Sequence, residues 1–263
     1  TQETGIKVNL LSARDDALIA RMRSEGRNSP ADVLLTADVG RLLRAEQDGL
    51  LQAVESEVLE QRIPAQYRAD SNMWFGFTMR ARPIMVATDR VAPDAISSYE
   101  ELADAKWKGK ICVRSSDNVY NQSFISAMIA HHGTEKTEQW VKQFVSNFAR
   151  PPSGGDRDQI RAVAAGECDI ALANTYYLAG MLNSDDATER ALAEKITIVW
   201  PDQDGYGVHV NISGAGVARH ARNRDEAIRL LEFMTSDSAQ IAYAQSNHEY
   251  PVVEGVAISE TLQ

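Results

Sequence analysis

The sequence predicts an α/β fold in two lobes, with mostly parallel sheets, helices on both faces and a ligand cleft between the lobes. Three observations carry this expectation. Short apolar runs alternate with amphipathic stretches along the chain, the pattern of strands covered by helices on both sides. The block from about 84 to 208 has its own β/α rhythm, so the flanking segments have to complete a first lobe together. The length, 263 residues with 44% hydrophobic and 24% charged, suits either one large domain or two small lobes. The predicted lobes are 1–83 plus 215–263 and 84–214, with 84–87 and 213–217 as the crossings between them. Ligands of such sheets bind beyond the carboxyl ends of the strands.

The elements follow in order. Residues 7–11 form a short β-rich run, and 14–25 carry Leu18, Ile19 and Met22 at helical spacing before Gly26. After Pro30, 32–35 read as a strand; Thr36 caps a helix whose Val39, Leu42 and Leu43 face one way, ended by Gly49. Strands are expected at 74–77 and 83–87, joined through the polar stretch 80–82. Ser98 stands three residues before Glu101, a capping-box pattern opening 98–106. A strand at 111–113 precedes a helix over 121–132 and another over 138–148. Residues 151–155 read as a loop; Ile160, Val163 and Ala164 mark a helix stopping at Gly166, and 169–173 form an apolar strand. Strands at 196–200 and 208–217, the second bent at Gly214–Gly216, lead to helices over 225–235 and 238–245.

Composition narrows the function classes. A net charge of −10 argues against a nucleic-acid partner, because nothing neutralises a run of phosphates. No stretch approaches about 18 consecutive apolar residues, the minimum for a membrane-spanning helix. Residues 1–7 lack the apolar run of a signal peptide, so an exported form would have lost its leader. Cys112 and Cys168 are too few for a disulfide scaffold or a zinc site. One bridge or two separate buried thiols both remain open.

The chemistry-bearing feature is Asn174-Thr175-Tyr176-Tyr177, directly after the apolar run 169–173. Tyr120 holds a comparable place, after the strand at 111–113 and ahead of a helix. Two strand ends thus deliver three phenols to one edge of a sheet. Phenolate is a hard oxygen donor suited to a hard, highly charged cation. Because free tyrosine titrates near pH 10, ligation at neutral pH needs a metal acidic enough to displace the proton. Fe(III) does so, whereas Ca²⁺ and Mg²⁺ prefer carboxylates and carbonyls. Taken alone, the three tyrosines fit packing or sugar stacking better than ligation, since tyrosine is common at pocket edges.

The run from Ser98-Tyr99-Glu100-Glu101-Leu102 to Lys110 resembles the entry to the second lobe of class II periplasmic binding proteins. More specific are Trp74-Phe75-Gly76-Phe77 with Arg80-Ala81-Arg82, and Arg114-Ser115-Ser116 with Asn118 and Tyr120-Asn121-Gln122-Ser123. Asn174-Thr175-Tyr176-Tyr177, His209-Val210-Asn211-Ile212-Ser213-Gly214 and Glu249-Tyr250-Pro251-Val252 complete the set. Together, from about Gly5 onward, they resemble the ferric-binding proteins of the FbpA and FutA type. The resemblance implies a two-lobed receptor, not an enzyme, that binds Fe(III) in the interlobe cleft. It would act as a periplasmic monomer and hand iron to the permease of an ABC transporter in the inner membrane. Tyr120, Tyr176 and Tyr177 would ligate iron, with a small anion or water completing the coordination. Family members carry a further ligand segment, a Tyr often beside a His, on the first strand. No such segment precedes Thr1 here. The expectation is that the sequence omits that strand, since losing a core strand would leave backbone groups unpaired. The alternative is a receptor of the same fold for an organic or anionic solute such as a polyamine, thiamine or a phosphate ester.

Arg14, Ser115, Asn174 and His209 are candidates for contacts around the metal or its anion. His131-His132 at a helix end suits the dipole better than a metal. Asp202-Gln203-Asp204-Gly205 lacks the later ligands of a calcium loop. Ser153-Gly154-Gly155-Asp156 lacks the Lys-Ser/Thr ending of a P-loop, and no nucleophile elbow or zinc-protease motif occurs.

Overall fold

The computed structural model describes residues 3–13, 15–92, 94–258 and 260–262. In chain order the elements are α1 (Asp15–Glu25), β1 (Val33–Ala37), α2 (Val39–Gln47), α3 (Glu57–Arg62), β2 (Phe75–Ala81) and β3 (Ile84–Ala87). There follow β4 (Ile111–Cys112), α4 (Val119–His132), α5 (Thr134–Ser146), α6 (Asp156–Ala165), β5 (Ile170–Leu172), α7 (Thr175–Leu182) and α8 (Ala187–Ala193). The last are β6 (Ile196–Val199), β7 (Val210–Val217), α9 (Arg224–Met234), α10 (Asp237–Ser246) and β8 (Tyr250–Pro251). The chain forms two compact units, Thr1–Met79 with Asn211–Gln263, and Arg80–Val210.

The first unit is built on a sheet of order β1-β7-β2-β8. Successive side chains point to opposite faces of a strand, so Trp74, Leu34 and Ile212 join one apolar cluster with Leu42 and Ile19. Phe75, Phe77, Ala215 and Val217 join the other, with Leu59 and Leu231. The cap of α2 is Asp38, whose carboxylate accepts from the Gly40 amide at 2.9 Å; the expected cap, Thr36, lies inside β1. Asp38 adopts a φ of 87°, and Asn211 Nδ2 donates to its other oxygen at 2.9 Å.

The expected bend at Gly214–Gly216 is absent, and β7 runs unbroken. These glycines serve close approach. A Cβ on Gly214 would stand 2.5 Å from the Phe75 carbonyl oxygen, and one on Gly216 would stand 2.4 Å from that of Met73. The β-rich run at 7–11 is irregular and exposed, with Leu10 facing solvent. It alternates like a strand but has no partner strand among the described residues. The segment expected as a helix from Ser98 is two short turns, Glu100–Ala103 and Ala105–Trp107, although the Ser98 hydroxyl does accept from the Glu101 amide at 3.3 Å. The sequence pattern does not reveal helices α3, α7 and α8.

The second unit has the order β4-β5-β3-β6. Here the expectation of mostly parallel sheets needs correction. β4 and β5 pair in parallel, but β3 is antiparallel to both β5 and β6; in the first unit β1–β7 and β2–β8 are antiparallel. The reason is how each strand is entered. β4, β5 and β6 are separated by helices and share one direction, as crossover connections require. β3 is entered from β2, a strand of the other sheet, after only Arg82 and Pro83; no crossover within its own sheet aligns it with the others, and it lies inverted between β5 and β6. Apolar runs flanked by helices reveal burial on both faces, not strand direction. One core packs Ile84, Tyr99, Phe124, Trp140 and Ile170, the other Met85, Ile160, Val163, Ala171 and Leu178. Cys112, at the end of β4, is disulfide-bonded to Cys168 just ahead of β5.

Substituting Gly216 by alanine forces a methyl group against backbone rather than a movable side chain. It should destabilise the protein by about 1–3 kcal/mol, read as a lowered urea midpoint. An unchanged midpoint would refute the close-approach argument.

Candidate functional site

The parallel register of β4 and β5 pairs Ile111 with Ile170 and Cys112 with Ala171, so both strands end at one edge of the sheet. Each then runs into a helix. Tyr120 is the second residue of α4, which begins two residues earlier than the sequence pattern suggests and so takes in the tyrosine expected just ahead of it. Tyr176 and Tyr177 are the second and third residues of α7. Asn118 caps α4 by accepting from the Tyr120 amide at 2.9 Å, and the Asn174 carbonyl accepts from the Tyr177 amide at 3.1 Å. Two helix N-termini, each with partial positive charge, thus carry the phenols. That polarity favours phenolate over phenol.

Tyr176 Oη donates to Tyr120 Oη across 3.1 Å. Two oxygens bound at right angles to one small hard cation, at about 2.0–2.1 Å each, stand about 2.9 Å apart. The pair therefore already has close to the spacing of adjacent ligands. The Tyr177 ring lies 4.3 Å from that of Tyr176. Guanidinium carbons of Arg80 and Arg114 sit 5.6 and 5.4 Å from the centre of the Tyr120 ring, and that of Arg157 sits 5.5 Å from the Tyr177 ring. Burial raises the pKa of the Tyr120 phenol, opposed by the hydrogen bond from Tyr176 and the charge of Arg80. Burial also raises that of Tyr176, reinforced by the neighbouring Tyr120 and Tyr177. Both phenols are thus protonated at neutral pH, and a cation that binds them must displace their protons.

Beneath the phenols lies a buried polar network. Asp156, the first residue of α6, accepts from Arg82 Nη1 at 2.8 Å, Arg114 Nη1 at 3.1 Å and the Asn174 amide at 2.9 Å. Arg82 also donates to Asn174 Oδ1 at 2.9 Å and Asn121 Oδ1 at 2.7 Å.

Of the other sequence-derived candidates, Asn174 joins the tyrosines, with its Nδ2 3.5 Å from Tyr176 Oη. The Ser115 hydroxyl accepts from the Asp117 amide at 3.2 Å, shaping the loop before α4. His209 donates its amide to Tyr99 Oη at 3.1 Å and accepts from the Arg82 amide at 2.9 Å; its ring packs edge-on to Phe124. Arg14 lies outside the described residues. At the far end of α4, His132 Nε2 is 2.9 Å from Glu100 Oε1, and His131 stacks on Tyr206. Sequence reasoning passed over Arg80 and Arg82 as a polar connection, yet both are buried. Two arginines framed by apolar strands were the available clue. Asp156 was hidden within a glycine run weighed only as a phosphate loop.

The profile of the bacterial extracellular solute-binding proteins matches residues 28–261. The chain belongs to this family. Among its relatives is the iron uptake protein A1 of Synechocystis sp. (strain ATCC 27184 / PCC 6803 / Kazusa), 52% identical over 262 residues, spanning 100% of this chain and 73% of that protein. The major ferric iron-binding protein of Neisseria meningitidis serogroup B is 27% identical over 269 residues, spanning 100% and 78%. A solved structure of the Trichodesmium protein IdiA (FutA), in complex with iron and citrate ligands, superposes with a TM-score of 0.96. It is 51% identical, covering 100% of this chain and 83% of that one. This solute-binding protein therefore has the periplasmic-binding-protein fold, in the mixed-sheet form described above.

Burial, then the charges of Arg82, Arg80 and His131, depress the His209 pKa from 6.5 to about 4. Folded His209 resists a proton that the unfolded chain accepts. Its contribution to stability is complete above pH 6.5 and is lost as the pH falls from there towards 4. His209→Gln should flatten the fall in urea midpoint between about pH 7 and about pH 4.5. Equal falls in both proteins would contradict this.

Proposed function

We propose that this chain is a ferric-iron receptor of an ABC-type uptake system, and not an enzyme. Tyr120, Tyr176 and Tyr177 bind Fe(III) through their phenolate oxygens. The observation that carries the reading is the pair of phenol oxygens 3.1 Å apart at two helix N-termini, with a third phenol beside them. Relatives named for iron uptake and ferric-iron binding support the cargo. Phenolates are hard donors, and Fe(III) is acidic enough to take the place of their protons. Reduction to Fe(II) weakens binding to hard anionic oxygen and provides a route to release.

Asn174 donates to the Tyr176 phenolate, and Ser115 and His209 act through the loops that hold α4 and Arg82. Arg14, outside the described residues, stays a candidate for a contact with a phenolate or the bound anion. A small anion or water completes the coordination, a role supported by the citrate named with the iron-bound Trichodesmium structure. The protein works as a monomer in the periplasm, with the inner-membrane permease as its partner and no nucleic acid. The Cys112–Cys168 disulfide suits that oxidising compartment.

The test is a visible absorption spectrum during titration with chelated Fe(III). A broad phenolate-to-iron charge-transfer band should grow, and at matched Fe(III) it should fall to no more than a weak residue in Tyr176→Phe/Tyr177→Phe, which keeps only Tyr120. Tyr120→Phe should lose more than about 100-fold in affinity, beyond what outer contacts to a metal contribute. Folded protein that shows no band and takes no iron from a weak chelator would overturn the reading.

A further inference from the structure

We infer that Asp156 is a positioning residue for iron binding: through Arg114 and Arg82 it sets the two phenol oxygens that form the metal's first contacts. The inference rests on the tyrosinate reading proposed above.

Asp156 touches no tyrosine; it reaches them by two arms. In the first, Asp156 Oδ1 accepts from Arg114 Nη1 at 3.1 Å, and the Arg114 guanidinium lies 5.4 Å from the centre of the Tyr120 ring. In the second, Asp156 Oδ2 accepts from Arg82 Nη1 at 2.8 Å, and the same nitrogen donates to Asn174 Oδ1 at 2.9 Å. With its oxygen held by Arg82, the Asn174 amide can only turn its Nδ2 towards Tyr176 Oη, 3.5 Å away. A donor at that distance is weak towards a phenol. Towards a phenolate it becomes a charge-assisted bond, whose ordinary length is about 2.7–2.9 Å. The second arm thus holds a donor ready for charge that appears only when the proton leaves.

Placement also ties the helices that carry the site. Asp156 opens α6, Asn174 precedes α7, and Asn121, in the first turn of α4, accepts from Arg82 Nη2 at 2.7 Å. One carboxylate therefore fixes three helix starts. Stability alone does not call for such an arrangement: a buried ion pair is often replaceable by apolar side chains of like volume without loss. What apolar packing cannot do is orient an amide or hold a cation against a phenol ring.

The test compares wild type with Asp156→Asn and Arg114→Gln, each first shown to be folded by circular dichroism and thermal melting. Arg114 is partly exposed, so its variant cuts the first arm without opening the core. Both should bind Fe(III) about 10- to 100-fold more weakly in competition with citrate, the usual cost of losing an outer contact to a metal ligand. The charge-transfer band should persist in Arg114→Gln but move to longer wavelength, because a phenolate without its cation gives up an electron more readily. A purely structural role would lower the melting temperature and leave the band and the affinity of the folded protein alone. Folded variants with wild-type band and affinity overturn the inference. If Asp156→Asn fails to fold, Arg114→Gln alone decides. A wild-type protein with no band would sink the tyrosinate reading instead, so the two failures are distinguishable.

Discussion

The Arg82 and Asp156 side chains meet where they are only 2% and 0% exposed. Removing such charges from water costs several kcal/mol each, recovered only when the ions face one another and most of their remaining donors and acceptors are paired. That demand organises the second unit. Asp156 takes two guanidinium groups and one backbone amide. Arg82 adds Asn174, Asn121 and the Leu172 carbonyl. These partners lie where β5 gives way to α7 and where α4 begins. The ion pair can be satisfied only if those segments come together, and the segments that come together are the ones that carry the phenols.

Much of this was legible in the sequence. The strand-then-tyrosine pattern at 169–177 and at 111–120 places all three phenols at strand ends, because the carboxyl end of a short apolar run is a local signature. Strand direction was not legible. β3 runs against its neighbours β5 and β6, and apolar composition is blind to direction. The glycines of β7 read locally as a bend, whereas their role depends on carbonyls of Met73 and Phe75 far away in the chain. The polar network was hidden for the same reason. Arg82 and Asp156 are 74 residues apart, and neither residue's own neighbourhood announces that it is buried. Local chemistry reads from sequence; long-range satisfaction of charge does not.

Under the ferric reading, the buried phenols also explain selectivity. A carboxylate site is charged at neutral pH and attracts any divalent cation. A site of phenols whose pKa is raised by burial presents neutral oxygens until a strongly acidic cation displaces their protons. The helix N-termini and the cations around Tyr120 then stabilise the phenolates formed. Selection by Lewis acidity comes from the same burial that keeps the tyrosines protonated beforehand.

That account makes binding and proton release one event, so counting protons tests it most directly. Iron is added as Fe(III)–citrate to the metal-free protein in a pH-stat near neutral pH, and to the variants Tyr120→Phe, Tyr176→Phe and Tyr177→Phe. Each ligating tyrosine should account for one proton per iron bound, so every single substitution should lower the release by about one. Identical release from wild type and all three variants at matched occupancy would mean that iron binds without the phenolates, and the central claim would fail.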